Sequence, residues 1–515
     1  MAANHRSGTD HTVIDIIDDR EKSKKCIFRV PKVLRRRNPE AYTPDSFSIG
    51  PYHHYREKRG EEEGKGGKEG KGEEDFQRMG GAKKSYLDEI LARMKNITLE
   101  ELTAKVIGRS GQRNENEFEE RARSFYDERF DISPKDFIKM MIVDGCFLVQ
   151  LFRKCNHPDR MALDDPVFTT DSSFHFLCHD ILLLENQLPW FVIRSLYSLT
   201  LEIYPDETSL PVLILNAFSI LAPLKQSCSS YFKHLRRNKC HCDADYLHIL
   251  DLVRDSIIIP IKTIDERAQK AAGRKAKHHQ MHAWRKDSRG YKAAPEALFD
   301  PKQHQMPTAT ALSNVGIKFQ SSTKRSIMDI RWAPRQNLRK SITDIRFKVR
   351  WPFRNEEVLK IPQLDVDNLF ECLFRNLIYF EHCCHGYSSE ITSFSIFMDK
   401  LISSKDDLEL LCKEKVIIGS WESNEEGRKF FRSLYKDIPQ KNSVKFYYAD
   451  LCGELNNRYK TLKNHRLGES TRQQLIWFSN PWNAFYVIVG IFLLQIVPTI
   501  LQTTYTIKQY YSPSP

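Results

Sequence analysis

Apolar residues in the first half of the chain repeat with the 3.6-residue period of helices buried on one face. Tyr86, Leu87, Ile90, Leu91 and Met94 form one such stripe. Phe137, Met140, Met141, Phe147, Leu148 and Leu151 form another, with the carboxylate of Asp144 set inside it. Ser133-Pro134-Lys135-Asp136 opens this second helix with a capping hydroxyl, a proline in the first turn and a carboxylate three residues on. The run from about Phe174 to Leu188 predicts a helix that continues, kinked, past Pro189 through WFVIRSLYSL. Asp245 to Ile258 predicts an amphipathic helix that ends at Pro260.

The period then changes. Ile345, Phe347, Val349, Trp351 and Phe353 alternate with polar residues and proline, as in a half-buried strand. Ile317 with Phe319, and Ile330 with Trp332, suggest shorter strands. KRSIMDIRW (324–332) recurs as RKSITDIRF (339–347). Helical runs return after Asp365: LFECLFRNLIYFEHC, SFSIFMDKLI, DDLELLCKEKVI and EEGRKFFRSLYKDI. The fold class expected is mainly α, a helical two-lobed domain with a small central β element at about 316–362.

From Ala484 to Leu501 the sequence reads AFYVIVGIFLLQIVPTIL, without a charge. Extended through 482–503 it reaches across the roughly 30 Å of a bilayer's hydrocarbon layer. Pro498 is no obstacle, because spanning helices tolerate proline. Trp482 and Tyr486 at one end, and Tyr505, Tyr510 and Tyr511 at the other, fit interfacial anchors. Arg458, Lys460, Lys463, Arg466 and Arg472 precede the segment and only Lys508 follows it, which predicts a cytoplasmic N-terminal part and a tail-anchored topology. Asn96-Ile97-Thr98 is a glycosylation sequon expected to stay unmodified on that side.

The 515 residues are 41% hydrophobic, with 30 Phe, 20 Tyr and 7 Trp, which excludes collagen-like, mucin-like and wholly disordered classes. A negative mean hydropathy excludes a polytopic transporter. The net charge of +12 invites a nucleic-acid reading, but residues 262–354 hold 22 Lys and Arg against 7 Asp and Glu, so the rest sums to about −3. That is a basic insert and not a basic face. The twelve cysteines are scattered and the first thirty residues have no apolar signal core, so reduced thiols are expected. Residues 56–84, with GEEEGKGGKEGKGEED, read as a low-complexity insert. In sum, 1–23 reads as a tail, 24–260 as the first lobe, 261–307 as a basic disordered linker, 308–475 as the second lobe, 482–503 as the membrane helix and 504–515 as a short tail.

Ile27 to His54 (IFRVPKVLRRRNPEAYTPDSFSIGPYHH) resembles the opening signature of the plant DUF247 family, the UPF0481 group. DGCFLVQLF (144–152), DILLLENQLPW (180–190), ATALSNVGIKF (309–319), FRNLIYFE (374–381) and the C-terminal apolar segment match in the same order. The resemblance covers about residues 24–505. It implies a plant protein anchored by one C-terminal span and without established enzymatic activity; some members are linked to self-incompatibility recognition in grasses. Gln150 stands where the family pattern has an acid, and the 56–84 and 320–338 stretches enlarge it.

Asp144 and the Glu185-Asn186-Gln187 run before Pro189 are the candidate polar sites. Two core-facing carboxylates suit an acid/base pair, whose pKa burial would raise, or a hydrogen-bonded network serving groups that the proline leaves without partners. The network is the expectation. Adjacent His53 and His54 diverge and suit a docking turn better than a metal site. Cys240-His241-Cys242 and His382-Cys383-Cys384-His385 lack knuckle spacing, so no metal or cofactor is expected. The basic stretch fits a solvated loop, a nucleic-acid arm with Trp284, His278, His279 and Tyr291 for stacking, or an anionic leaflet met by Arg274, Lys275, Lys277, Arg346, Lys348 and Arg350. Phosphate-loop, GxGxxG, GxSxG and HExxH motifs are absent.

The reading is a membrane-held interaction or recognition protein without catalytic activity. Its partners are the lipid bilayer and an unidentified protein. The competing classes are an enzyme using Asp144 and Glu185, and nucleic-acid binding through 262–354, which is not expected.

Overall fold

Helices begin where a side chain can take the first free amides. The computed structural model describes residues 25–54, 72–162, 165–168, 173–205, 208–238, 246–261, 306–322, 326–333, 357–384, 386–419, 421–439, 446–479 and 481–511. In its first half α1 (Lys32–Arg37), α2 (Gly72–Arg93), α3 (Leu99–Arg109), α4 (Glu115–Arg123) and α5 (Pro134–Asn156) follow one another. Thr98 and Glu101 close a reciprocal capping box on α3, and Ser133 Oγ accepts the Asp136 amide at the head of α5. Then come α6 (Ser173–Ile181), α7 (Trp190–Thr200), α8 (Leu210–Phe218), α9 (Ala222–Asn238) and α10 (249–261). The 23-residue α5 is the hub, packing against α2, α7 and α8. Gly145 lets α7 come close, since a Cβ there would stand 2.4 Å from Leu196 Cδ1.

The second half opens with α11 (Ala309–Asn314) and the strands β1 (Ile317–Ser322), β2 (Arg331–Ala333), β3 (Glu357–Pro362) and β4 (Leu364–Val366). β3 is central, parallel to β1 with Phe319 opposite Leu359 and antiparallel to β2 with Trp332 opposite Leu359. Helices α12 (Asn368–Cys383), α13 (Glu390–Leu401) and α14 (Lys405–Lys413) follow, then β5 (Ile417–Gly419), α15 (Asn424–Tyr435), α16 (Ala449–Ser479) and α17 (Pro481–Tyr511). The chain is mainly α with a small β element, and the residues on either side of the basic stretch share one buried core.

Five elements differ from the sequence pattern: α10 starts at 249 and runs through Pro260 to 261 where an end at Pro260 is expected, and α17 continues to Tyr511, so its candidate span of Val489–Lys508 takes in part of the stretch read as a tail. The helix expected across Phe174–Leu188 stops at Ile181 and restarts at Trp190, so a turn replaces the kink. The low-complexity reading of 56–84 ends too late: α2 starts at Gly72, and Met79 and Ala82 join Tyr86 and Ile90 on its buried face, which outweighs the helix cost of Gly80 and Gly81. The end of DDLELLCKEKVI leaves the helix, because Ile417 pairs with Leu364 in a parallel ladder. The 1–23 tail, the 55–71 part of the insert, 262–305 and the alternating stretch within 334–356 lie outside the described residues.

α17 is continuous through Pro498. Within it Val489–Lys508 is the one helix, among the described residues, long and apolar enough to cross a membrane, and none of it is buried. Phe492, Leu494 and Leu501 are 61%, 76% and 65% exposed.

Candidate functional site

Between α6 and α7 the chain turns with few backbone partners, because Pro189 has no amide and disfavours helix at Leu188. Three polar side chains supply the bonds. Gln187 Nε2 donates to the carbonyls of Ile181 (2.6 Å) and Leu183 (2.8 Å), and its Oε1 accepts the Leu250 amide of α10 (3.1 Å). Asn186 Nδ2 donates to the Asp180 carbonyl (3.0 Å), and its Oδ1 accepts the Ile49 amide (2.6 Å). Glu185 Oε1 accepts the Val30 amide (2.6 Å) and the Arg35 guanidinium.

These bonds reach the opening segment, 25–54, which runs over the helices like a strap. Asp180 accepts the amides of Asp45 (2.9 Å), Ser46 (2.8 Å) and Phe47 (3.1 Å). Asp144 Oδ2 accepts the Gly50 amide (2.9 Å), and its Oδ1 lies 2.8 Å from Lys83 Nζ. Gly50 has a φ of +69°, and a Cβ there would stand 3.0 Å from both the Gln187 carbonyl and the Tyr126 hydroxyl. On its other side the strap meets α12. Asn376 Nδ2 donates to the Ala41 carbonyl (2.8 Å), its Oδ1 accepts the Leu184 amide (2.9 Å), and Tyr379 donates to the Arg29 carbonyl (3.1 Å). One strap thus joins both halves of the chain.

The polar residues singled out in the sequence are all buried, and Asp144, Glu185 and Asn186 meet on this strap, while Gln187 ties the turn to α10. Burial pushes the Glu185 carboxyl up, but His53 and the Arg35 guanidinium outweigh that and hold it below the usual carboxylate range. His53 Nε2 stands 3.2 Å from Glu185 Oε2, at an angle that makes no hydrogen bond. Arg29 Nη1 is 3.6 Å from the same oxygen. Both oxygens of Asp144 are engaged, and Glu185 holds the Val30 amide and Arg35 through Oε1 while Oε2 faces His53 and Arg29, so the arrangement suits holding a chain segment better than moving a proton.

Sequence reasoning missed a second buried cluster. Arg254 of α10 donates to Glu381 (3.0 and 3.1 Å), Glu390 (2.6 Å) and the Ser388 carbonyl (2.7 Å). Glu381 also accepts the amides of Ile391 (3.0 Å) and Thr392 (3.1 Å), capping α13. The available signal was FRNLIYFE, where Asn376 and Glu381 interrupt an apolar run just as Glu185 does. His248, also buried, accepts the Asp251 amide at Nδ1 (3.2 Å) and lies 3.3 Å from the Cys26 carbonyl at Nε2; burial pulls its pKa down to about 3.

The other sequence candidates lie apart from the strap. Tyr486 and Tyr505 are exposed on α17; Trp482 and Tyr510 lie on the same helix with side chains outside the described residues. Arg274, Lys275, Lys277, Arg346, Lys348, Arg350, the Cys240-His241-Cys242 group and His385 are outside them too. Among the described residues no disulfide joins the cysteines.

The DUF247 family model, described as plant protein of unknown function, matches residues 27–496. A UPF0481 protein of Arabidopsis thaliana is 26% identical, the match covering 98% of this chain and 90% of its own. Another UPF0481 protein of that plant is 22% identical over 93% of this chain and 90% of its own. No solved structure matches. The family match spans nearly all of the strap, the turn at Glu185, α12 and the first half of α17, and the chain belongs to the DUF247 family of plant proteins.

Proposed function

We propose that this protein is a membrane-held interaction component without catalytic activity, serving recognition or signalling, with its helical domain on the cytoplasmic side. The observation that carries this is α17, whose apolar stretch Val489–Lys508 has no buried residue. Burying so much apolar surface in hydrocarbon is strongly favourable, while leaving it in water is not. The wiring of Asp144 and Glu185 to backbone amides supports a non-catalytic domain. The same wiring weakens the alternative in which these two carboxylates form an acid/base pair.

The test is alkaline carbonate extraction of plant membranes carrying the full chain or a chain ended at residue 475. The full chain should stay in the pellet and the shortened one should leave it; release of the full chain would refute the anchor. Asn96 reports the side, being exposed on a turn. Glycosidase treatment should leave the mobility of the full chain unchanged, and a shift would place the domain in a lumen or outside.

A further inference from the structure

We propose that Asp45, His179 and Asp180 form a divalent transition-metal site, best suited to Zn²⁺, that clamps the strap to the end of α6. One ligand atom from each residue lies within 4.8 Å of the other two. His179 Nδ1 stands 3.0 Å from Asp180 Oδ1 and 3.6 Å from Asp45 Oδ2. Ligands bound at 2.0–2.1 Å around a tetrahedral ion are roughly 3.3 Å apart, so these two separations bracket the edge such an ion requires.

Imidazole with two carboxylates is a borderline-hard donor set that suits Zn²⁺ better than Ca²⁺ or Mg²⁺. His179 and Asp180 lie in the last turn of α6, whose carbonyl end favours a cation. Asp180 is already oriented by three amides of the strap, as outer partners orient metal-bound residues. Asp45 is exposed and leaves the outer side open to a water ligand. Binding would displace the proton shared between His179 and Asp180.

The experiment uses the full chain in detergent, dialysed against ZnCl₂ and then freed of loose metal, with Co²⁺ as a spectroscopic probe. The wild type should keep one equivalent of Zn²⁺, unfold at a higher temperature with it, and give the visible bands of low-coordinate Co²⁺. Asp45→Asn keeps the amide bond to Asp180, so the domain still folds. It should weaken Zn²⁺ binding about tenfold or more and abolish the Co²⁺ bands. Equal retention by wild type and D45N would overturn the proposal by placing the ion elsewhere, and no retention would overturn it by leaving only the ion pair. Loss in both Asp45→Asn and His179→Gln, with folding unchanged in the former, would support it.

Discussion

Glu185 shows how one side chain fixes the course of a distant segment. Its carboxylate replaces water for the Val30 amide and pairs with the half-buried Arg35. Glu185→Gln keeps the shape but removes the charge, and should cost about 1.5–3 kcal/mol, read as a lower urea midpoint. Unchanged stability with lost function would restore the acid/base reading. Acid should act on the same core. Because the folded pKa of Glu185 is depressed, its contribution is complete above about pH 4.5 and fades as pH falls below that. His248 also has a depressed value, so its contribution fades as pH falls from 6.5 toward about 3. The stabilising share of His248 should therefore begin to fade near pH 6.5, above the range in which Glu185 titrates. His248→Gln can still give to Cys26 and take from Asp251, and should flatten the drop between pH 6.5 and 5; an identical pH profile would assign that drop to another group.

Among the elements, legibility followed how local the cause was. The stripe of α5 and its Ser133 cap lie within a few residues of one another, and the short strands at Ile317 and Arg331 appeared where alternation placed them. The break at 182–189 did not, because its side chains bond to carbonyls nearby and also to amides of Ile49 and Leu250, which no local period records. β5 was hidden for the same reason, its partner β4 lying some fifty residues earlier. Of the site, the polar residues could be read as a network from their place in apolar runs, but the strap they hold could not. Asn376 is the sharpest example, joining the turn, the strap and α12 through Leu184, Ala41 and Cys372. Asn376→Ala leaves the Leu184 amide and the Ala41 carbonyl buried without that partner, and should destabilise by about 2–4 kcal/mol in thermal or urea unfolding. Asn376→Asp keeps the acceptor but sets an oxygen against Ala41, and should do no better; wild-type stability in either would show that the strap is held elsewhere.

For the whole molecule, the strap means that neither half is complete alone. Arg29 and Ala41 find partners 350 and 335 residues away on α12, and α10 is tied through Arg254 to Glu381. During synthesis the ribosome releases the strap early and its last partners only when most of the domain is out. Until then the apolar residues beneath it lie open to solvent, a state prone to aggregation and chaperone capture. Ribosome-bound chains ended at residue 360 should be cut by protease within 25–54, and chains long enough to free α12 should be protected; early protection would show that the first half closes alone. A segment made early is thus among the last to find its place, and it does so just ahead of α17, the one helix among the described residues long and apolar enough to cross a membrane.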